Sequence, residues 1–383
     1  MKRNILIVGA GLYGAVCAHT LTKAGHRVRV MERRGHVGGN CYTRYCEPAG
    51  CHQHVYGAHV FHTSSKRIWQ YVTQLTEFHS YVNRVKVNFR GAIYSFPINL
   101  LTLHQLYGVQ SPSEAIRKLG EVRIPIQSAE TLEDYCLSTV GPEIYRIFFE
   151  GYTTKQWNRH PRELPAHIIK RLPIRMDFND NYYNDTYQGI PSNGYTALFE
   201  RLLEGIPVEL DVDFLTARDE NIDRHDLTIY TGPIDAFFRH SRGALEYRSL
   251  RFETTLLDSN DFQGNAVINY TDRETPWTRI VEHKHFGPSN TSSQTLITRE
   301  FPLDWQSGLP EYYPVNDSKN KALLRAYQRD ALALHPKVHF GGRLAQYRYY
   351  DMDQVIGAAL HYCGPVDPAV AALSSSSANE NTL

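Results

Sequence analysis

The chain has 383 residues, of which 42% are hydrophobic, so it can bury a sizeable core and is expected to form two or three domains. Its formal net charge is +1 and it has no run of Lys or Arg, so nothing indicates nucleic-acid binding. It contains no uninterrupted apolar run of about eighteen residues, and we expect no membrane contact. The first strand pattern starts at once, which predicts no secretory signal, and the six cysteines are too sparse for a disulfide scaffold. We therefore expect free thiols and a cytoplasmic location.

The N-terminal segment has the pattern of a dinucleotide-binding turn. The apolar run 4–8 predicts a buried parallel strand, and Gly9, Gly11 and Gly14 follow it as G-x-G-x-x-G. Such glycines let the backbone turn tightly and approach a pyrophosphate at a helix N-terminus. A second predicted strand ends at Glu32, where a carboxylate can bind ribose hydroxyls.

A second pair of glycines indicates which dinucleotide cofactor the chain binds. Glu32, Arg34, Gly38 and Gly39 form an E-x-R-x-x-x-G-G pattern, which resembles FAD proteins of the amine-oxidase type more than NAD dehydrogenases. The sequence therefore predicts bound FAD. A glycine-rich turn without a ligand is the alternative.

The middle of the chain changes character twice. A helix is predicted around residues 64–77, and residues 81–97 have short alternating strand patterns. Residues 101–149 have a helical pattern, with Pro112 well placed in a first turn. Residues 151–195 are aromatic, basic and interrupted by proline, which predicts irregular loops of the kind that carry sites.

The C-terminal half returns to strands and helices. Strand-like runs within 245–302 have no helices between them, which predicts an antiparallel sheet. The other predicted elements are a helix over 194–204, strands near Val208 and over 227–231, a helix over 320–334, a strand over 338–341 and a helix over 352–361.

These patterns predict an α/β fold in which a discontinuous FAD-binding Rossmann-like domain is interrupted by a helical domain and an antiparallel β-sheet domain. The predicted boundaries are 1–80, 194–243 and 316–370 for the FAD-binding domain, 101–193 for the helical domain with a mobile substrate loop, 81–100 and 244–315 for the sheet domain, and 371–383 for a disordered tail.

Two groupings of histidine and cysteine could suggest a metal. The cysteines and histidines of residues 46–54 do not have the spacing of usual zinc ligand pairs. His59 and His62 lie three apart, but no third ligand suggests itself. We therefore predict no metal site.

Several longer motifs resemble one family, the bacterial UDP-galactopyranose mutases, over about residues 4–362. The motifs are YGAHVFHT at 56–63, GYTTKQW at 151–157, IKRLP at 169–173, YQGIP at 187–191, YTGPID at 230–235, LEYRSL at 245–250, YYPVND at 312–317 and YYDM at 349–352. The resemblance implies an FAD domain, a small helical domain and a twisted antiparallel sheet, in a homodimer.

The resemblance also implies a reaction, the interconversion of UDP-galactopyranose and UDP-galactofuranose for cell-surface polysaccharide. In this family reduced FAD attacks the anomeric carbon through N5, and UDP leaves. The flavin–sugar adduct opens as an iminium, the ring recloses through the other hydroxyl and UDP returns, so the reaction is redox-neutral overall. Electrons would come from NAD(P)H or a flavin reductase. The absence of an evident acid–base constellation fits a mechanism that the cofactor carries.

The candidate site residues combine these motifs with isolated arginines, whose planar donors suit phosphate. An arginine in a surface ion pair is the alternative. The catalytic candidates are Arg171, Arg279, His62 and Tyr349. The cofactor candidates are Gly9, Gly11, Tyr13, Gly14, Glu32, Arg33, Gly39, Asn40, His59, Val60, Arg343, Tyr350, Asp351 and Met352. The substrate candidates are Asn83, Phe148, Phe149, Tyr152, Thr153, Trp157, Arg171, Tyr182, Arg248, Asn269, Arg279, Tyr313 and Tyr349.

Departures from the family pattern leave the substrate open. Cys41, Asn158 and His160 differ from what the family leads us to expect, and 84–87 is more basic. A related UDP-hexose such as UDP-N-acetylgalactosamine is therefore an alternative substrate. Two other functions are kept, an FAD-dependent oxidoreductase of the amine-oxidase type and a flavin-bearing binding protein without catalysis. The proline-rich segment 170–188 is predicted to close over the substrate.

Overall fold

In the computed structural model, the structure describes residues 2–170, 172–288 and 290–364. The strands are β1 (Asn4–Val8), β2 (Arg27–Met31), β3 (Thr43–Cys46), β4 (Cys51–His54), β5 (Phe61–Thr63), β6 (Phe78–Ser80), β7 (Lys86–Phe89), β8 (Ala92–Ser95), β9 (Tyr187–Pro191), β10 (Val208–Glu209), β11 (Leu227–Tyr230), β12 (Tyr247–Leu257), β13 (Val267–Tyr270), β14 (Arg279–Glu282), β15 (Thr295–Asp304), β16 (Tyr313–Pro314) and β17 (Val338–Phe340). The α-helices are α1 (Leu12–Lys23), α2 (Lys66–Thr73), α3 (Leu100–Tyr107), α4 (Pro112–Val122), α5 (Leu132–Thr139), α6 (Gly141–Ile144), α7 (Gly151–Trp157), α8 (Gly194–Leu202), α9 (Arg218–Asp223), α10 (Ile234–Phe237), α11 (Ser318–Leu334), α12 (Gly342–Ala345) and α13 (Met352–Cys363).

A parallel sheet carries the Rossmann-like part of the fold, with strand order β10-β2-β1-β11-β17. The central strand β1 is almost wholly buried because α1 and α13 cover one face of the sheet and a cluster around Phe237 covers the other. Ligands of such sheets bind beyond the carboxyl ends of the strands. The predicted α/β class is confirmed.

A second, seven-stranded sheet has the order β16-β12-β15-β14-β13-β7-β8. All its neighbours are antiparallel except β7 and β13, which run parallel, so the expectation of an antiparallel sheet is wrong for that pair. The longest strand, β12, was not predicted as a strand. Its second half is largely exposed and carries Arg251 and Glu253, so it lacks the apolar alternation that marks a half-buried strand.

The helical part contains one long helical stretch that continues past the predicted end of the helical region at residue 149. Residues 141–157 run without a break from α6 through a π-helical turn, Tyr145–Glu150, into α7. The prediction of irregular structure from residue 151 was therefore wrong for α7. Its first residue is glycine, and a Cβ there would lie 2.2 Å from the carbonyl oxygen of Thr271. Single π-turns inside helices are frequent at functional sites.

A small sheet, β5-β9-β6, joins the C-terminal end of the predicted substrate loop to the segments that carry β5 and β6. The strand β9 was not predicted, and α2 is shorter than the predicted helix because Ser65 caps it and β6 follows directly. All six cysteines are free. Within the described residues we find no helix whose length and apolar character would allow it to cross a membrane.

Candidate functional site

A cavity of about 700 Å³ extends from the carboxyl ends of the parallel strands to the second sheet and the π-helical turn. This volume is in the range of small-molecule and cofactor sites. It is lined at one end by the two glycine-rich loops, and at the other by aromatic side chains of the helical part and polar side chains of the seven-stranded sheet.

Glycines form the floor of the first end. Gly9 has φ +101°, and a side chain there would lie 2.1 Å from Thr231 Oγ1. A Cβ on Gly39 would lie 3.1 Å from the Cα of Gly11, so the two loops pack backbone against backbone. Gly14 does not line the cavity. A Cβ there would lie 2.0 Å from the carbonyl oxygen of Gly9, so this glycine sets the approach of α1 to the turn.

The carboxylate of Glu32 organises the same loops from the end of β2. It is 7% exposed and accepts hydrogen bonds from the backbone N–H groups of Ala10 at 2.7 Å and Arg34 at 2.8 Å. The Arg34 guanidinium donates to Asn40 Oδ1 at 3.0 Å and lies over the Tyr56 ring. Arg34 belongs to the glycine motif of the sequence, but we did not predict it as a site residue.

Several polar atoms around the cavity fit a polar ligand. Six buried side-chain atoms of cavity residues have no hydrogen-bond partner within the described residues: Arg34 Nη1, Arg343 Nε, Asn83 Oδ1, Asn269 Oδ1, Arg279 Nε and Glu300 Oε1. Buried polar groups are rarely left unpaired, so a ligand with both donors and acceptors would complete them. A dinucleotide along the glycine floor and a second polar ligand near the asparagines fit this donor and acceptor set.

Aromatic side chains form the second end. The π-helical turn places Phe148 and Phe149 in the cavity wall, and α7 adds Tyr152, Thr153 and Trp157. The two phenylalanines are buried, and Phe148 stacks on Phe96 of the neighbouring strand region. Flat apolar faces of this kind suit a planar base.

An ion pair between a half-buried arginine and a buried glutamate lies at this second end of the cavity. Arg279 donates from Nη2 to the hydroxyl of Tyr152 at 2.7 Å, and its Nε lies 3.3 Å from Glu300 Oε2. Burial raises the pKa of the Glu300 carboxyl, and the positive charge of Arg279 opposes that rise. Tyr313 lies beside the pair, and burial raises the pKa of its hydroxyl. The guanidinium is thus held in place by groups on two other elements.

The histidines of the YGAHVFHT motif both line the cavity, but in different surroundings. The His59 ring donates from Nδ1 to the carbonyl of Gly57 at 2.8 Å, and burial lowers its pKa to about 4. The His62 ring lies 2.6 Å from Asp185 and stacks on Tyr183. His59 is therefore a neutral wall, whereas His62 faces a carboxylate.

Behind His59, two further histidines support the loop. The N–H of His59 donates to His54 Nδ1 at 3.1 Å, and the N–H of His54 donates to His283 Nδ1 at 3.2 Å. Because Nδ1 of His283 accepts, its Nε2 donates to Thr298 Oγ1 at 2.8 Å. Both rings are buried and neutral, and burial lowers the pKa of His283 to about 3.

Most of the candidate residues lie along this one cavity. The candidates that line it are Gly9, Gly11, Tyr13, Glu32, Arg33, Gly39, Asn40, His59, Val60, His62, Asn83, Phe148, Phe149, Tyr152, Thr153, Trp157, Tyr182, Asn269, Arg279, Tyr313, Arg343, Tyr349, Tyr350, Asp351 and Met352. Arg171 lies outside the described residues, as does the predicted tail 371–383.

Besides Gly14, Arg248 is the described candidate that the structure does not bring to the cavity wall. It is 5% exposed, donates from Nε to the carbonyl of Gln156 at 2.9 Å and forms an ion pair with Asp304. These contacts anchor the end of α7 to β15. An arginine with uncharged or aromatic neighbours looks the same in a sequence whether it binds a ligand or a backbone carbonyl, which is why we placed Arg248 among the substrate candidates.

Four acidic residues of the cavity region were missed: Asp213, Glu300 and Glu311 line the cavity, and Asp185 contacts the lining residue His62. Glu300 sits on an alternating strand, where its inward position could have been read from Thr298 and Leu296. Asp185 follows a run of tyrosines and asparagines, and nothing local marks it. A possible cation cluster, Asp261 with Glu282 and His285, lies away from the cavity. The Glu282 oxygens there already accept three hydrogen bonds.

Comparisons with known proteins agree with this architecture. A family model for an NAD(P)-binding Rossmann-like domain matches residues 7–75, and a family model for UDP-galactopyranose mutase matches residues 147–349. A crystal structure of reduced UDP-galactopyranose mutase superposes with a TM-score of 0.72, covering 100% of this chain and 96% of that one, at 14% identity. These matches define a Rossmann-like dinucleotide-binding protein.

Curated relatives carry the assignment further. A probable UDP-galactopyranose mutase of Klebsiella pneumoniae is 41% identical over 94% of this chain and 93% of its own length. A dTDP-fucopyranose mutase of Escherichia coli is 37% identical over 93% of this chain and 96% of its own length. The chain belongs to the UDP-galactopyranose mutase family, and it is an enzyme with an isomerase function.

Proposed function

We propose that this enzyme interconverts UDP-galactopyranose and UDP-galactofuranose with bound FAD. The observation that carries the proposal is that one cavity joins a glycine floor for a dinucleotide to a second end formed by Arg279 and an aromatic wall. A sugar held between the two ends would have the cofactor on one side and its own diphosphate on the other.

The chain's own residues would hold the cofactor by backbone and charge. Gly9, Gly11 and Gly39 leave room for a diphosphate, and the Glu32 carboxylate at the end of β2 is placed to bind a ribose. The unpaired Nε of Arg343 would complete the phosphate contacts. When bound and reduced, the flavin would supply through N5 the nucleophile that replaces UDP at the anomeric carbon, in a reaction that is redox-neutral overall.

The substrate would be held by the opposite wall. Phe148 and Phe149 would bind the uracil base, and Arg279, with Arg171, would bind the diphosphate and stabilise its charge as it departs. Tyr152 fixes the Arg279 guanidinium before substrate arrives, which lowers the cost of ordering it. The aromatic lining would keep water away from the reacting carbon.

The nucleotide and the sugar are the open parts of this proposal. The dTDP-fucopyranose mutase relative supports a dTDP-sugar as a second candidate, because it covers nearly the whole chain at an identity close to that of the first relative. UDP-N-acetylgalactosamine is the other alternative. We further propose a cytoplasmic homodimer that receives its electrons from NAD(P)H or a flavin reductase.

The test uses the purified, FAD-loaded protein after reduction with dithionite. UDP-galactopyranose, UDP-N-acetylgalactosamine and dTDP-fucopyranose are incubated separately, and products are separated by anion-exchange chromatography. We expect the furanose form of the UDP-galactose and no net consumption of reductant. A colourless protein that cannot be reconstituted with FAD, or oxygen consumption with an amine in place of isomerisation, would refute the proposal. Preferential turnover of dTDP-fucopyranose would move it to the second candidate.

A further inference from the structure

His62 lies in the cavity wall beside a carboxylate from the segment between α7 and β9. Its Nδ1 is 2.6 Å from Asp185 Oδ2, and the imidazole stacks on Tyr183 with ring centroids 3.6 Å apart. The other oxygen of Asp185 accepts a hydrogen bond from Ser64 Oγ at 2.6 Å. The side chains of His62 and Asp185 are 11% and 28% exposed. The carboxylate is thus held from two sides, with one oxygen committed to the imidazole.

This contact determines which ring nitrogen carries a proton. An ionised carboxylate can only accept, so Nδ1 of His62 is the donor and Nε2 of the neutral ring is an acceptor. On the neighbouring strand β9, the residue paired with His62 is Gln188, which is uncharged. Asp353 on α13 accepts a hydrogen bond from the hydroxyl of Thr63. Of the described carboxylates, Asp185 is the one hydrogen-bonded to this ring.

We propose that Asp185 is a positioning residue, which fixes the tautomer of His62 so that Nε2 exchanges a proton with the sugar; the proposal rests on the proposed function and deepens it. Contraction of a pyranose ring requires that the ring oxygen gains one proton and that another hydroxyl loses one.

Neutral His62 first accepts at Nε2 a proton that the reduced cofactor would release on bonding to the anomeric carbon. The ring oxygen then departs with the electron pair of its bond to that carbon and takes the proton from Nε2, while the nitrogen lone pair of the bound flavin would supply the electrons that the carbon loses. When the new ring closes, Nε2 takes the proton of the attacking hydroxyl and would return it to the cofactor. No proton is gained or lost overall, and the Asp185 carboxylate stays hydrogen-bonded to the ring throughout.

A purely structural role for Asp185 must be separated from this one, because the residue also ties down its segment. The same segment offers a matched control. Asp180 forms ion pairs with Lys86 at 2.7 Å and Arg84 at 3.3 Å, and it does not line the cavity. Asp180→Asn removes an anchoring charge from the segment without touching the imidazole.

The experiment compares Asp185→Asn, Asp180→Asn and wild type as FAD-loaded, reduced enzymes with UDP-galactopyranose. We expect Asp185→Asn to lower kcat by roughly ten- to a hundredfold with little change in KM, as loss of general acid–base catalysis would do. Asp180→Asn should stay within about twofold of wild type. Histidine-selective ¹⁵N NMR, with His62→Gln for assignment, should show an unprotonated Nε2 in wild type and mixed tautomers in Asp185→Asn.

Each outcome decides the matter. A protonated Nε2 in wild-type His62, or a wild-type kcat in Asp185→Asn, overturns the role of Asp185. Equal losses in Asp185→Asn and Asp180→Asn with unchanged tautomers would show a structural anchor instead, and also overturn it. If wild type itself makes no furanose product, the proposed function fails, while the NMR measurement still tests the tautomer that Asp185 imposes.

Discussion

At the scale of single residues, the centre of the cavity depends on one arginine with two different partners. Arg279 is hydrogen-bonded to the Tyr152 hydroxyl and ion-paired with the buried Glu300. A buried charge without its partner is costly, so Glu300 stabilises the fold only while Arg279 is present. The same guanidinium is proposed to bind the diphosphate. Stability and binding therefore meet in one side chain, and they can be separated by mutation.

Arg279→Ala should remove most of the activity while the protein keeps its cofactor. A charge-assisted contact to phosphate is worth about 1.5–3 kcal/mol, and we expect kcat/KM to fall at least accordingly. Arg279→Lys should restore only part of it, because an ammonium lacks the planar fork. Steady-state kinetics with reduced enzyme, together with flavin absorbance, measure both effects. Wild-type kinetics in Arg279→Ala would remove this residue from the diphosphate site.

Glu300→Gln supplies the matched variant for stability. Arg279→Ala strands the Glu300 carboxylate, and Glu300→Gln strands the Arg279 guanidinium, so each single change should lower the free energy of unfolding. The double variant should be more stable than the sum of the two losses predicts, with a coupling of about 1–3 kcal/mol. It should not recover activity. Additive losses in urea denaturation would show that the pair contributes nothing to the fold.

A site residue could be predicted from the sequence only where its residue type has few alternative roles at that position. The glycines and Glu32 were predictable, since a tight turn beside a diphosphate requires them. Arg279 and Arg248 could not be told apart, because only the fold decides that Arg248 faces the carbonyl of Gln156. Asp185 could not be found, because its partner His62 lies 123 positions earlier in the chain.

At the scale of elements, the junction of β1 and α1 is fixed by close backbone contact. Gly14 lies in the first turn of α1 directly against the carbonyl oxygen of Gly9, and the Ile7 side chain lies on its other side. A methyl group there has no flexible neighbour that could move aside. The helix would have to shift away from the turn, and the turn carries the dinucleotide floor.

Gly14→Ala should therefore weaken cofactor binding as well as stability. We expect a loss of about 1–3 kcal/mol in unfolding free energy from overpacking, and protein that is purified with little flavin. Gly120→Ala is the control, because that glycine lies in α4 with no atom within 4 Å of the added methyl group. It should keep its flavin and gain slightly in stability. Full flavin content in Gly14→Ala would show that α1 can move without cost.

In the segment 170–188, hydrogen bonds hold residues 175–182, whereas Lys170 at its start is exposed. This contrast indicates which part of the predicted lid should move. The Arg175 guanidinium donates to the carbonyls of Asn179 and Asn181, and the backbone N–H of Tyr182 donates to the carbonyl of Asn83. Lys170 is exposed. If the segment closes on a diphosphate, binding energy for the closed state should appear mainly near Lys170.

Limited proteolysis of the reduced enzyme tests this. Endoproteinase Lys-C should cut after Lys170, and UDP should slow that cut, whereas trypsin should leave the bond after Arg175 intact with or without UDP. Arg171→Ala should weaken the protection if this arginine binds the diphosphate as proposed, because the variant lacks that cation. Cleavage after Lys170 at the same rate with and without UDP would count against a lid, even if the enzyme is a mutase.

The larger elements were predictable where one physical rule dominates, and not where two compete. Buried β1 followed from its apolar run, and α11 was predicted from residue 320, two residues past its start, where Asp317 caps it. No local pattern predicted the π-helical turn. It places Phe148 and Phe149 in the cavity wall, and this role is visible only in the folded structure. The parallel pairing of β7 with β13 joins segments about 180 positions apart, and no local pattern encodes such a register.

At the scale of the whole molecule, a buried set of neutral histidines couples the fold to pH. His54, His59 and His283 form a hydrogen-bonded chain between the cavity loop and the seven-stranded sheet. Burial lowers the pKa of His59 to about 4 and of His283 to about 3, and holds the pKa of His54 well below its usual 6.5. Because Nδ1 of His54 and of His283 accepts a backbone N–H, protonation there would break the chain.

We therefore expect stability to fall as the solution is acidified. Above pH 6.5 these histidines are neutral in both states and add no pH dependence. Below it the unfolded chain binds protons that the folded protein refuses, so the free energy of unfolding drops by up to about 1.4 kcal/mol per pH unit for each histidine. The drop continues until the folded pKa values of about 3 and 4 are approached.

Urea denaturation across this range measures how steeply the free energy of unfolding falls with pH. His283→Gln should reduce this slope by about the contribution of one histidine. His361→Gln is the control. It removes an exposed histidine of α13 that is not part of the hydrogen-bonded histidines, and it should keep the wild-type slope. An equal slope in His283→Gln and wild type would mean that protonation of His283 does not contribute to the loss of stability in acid.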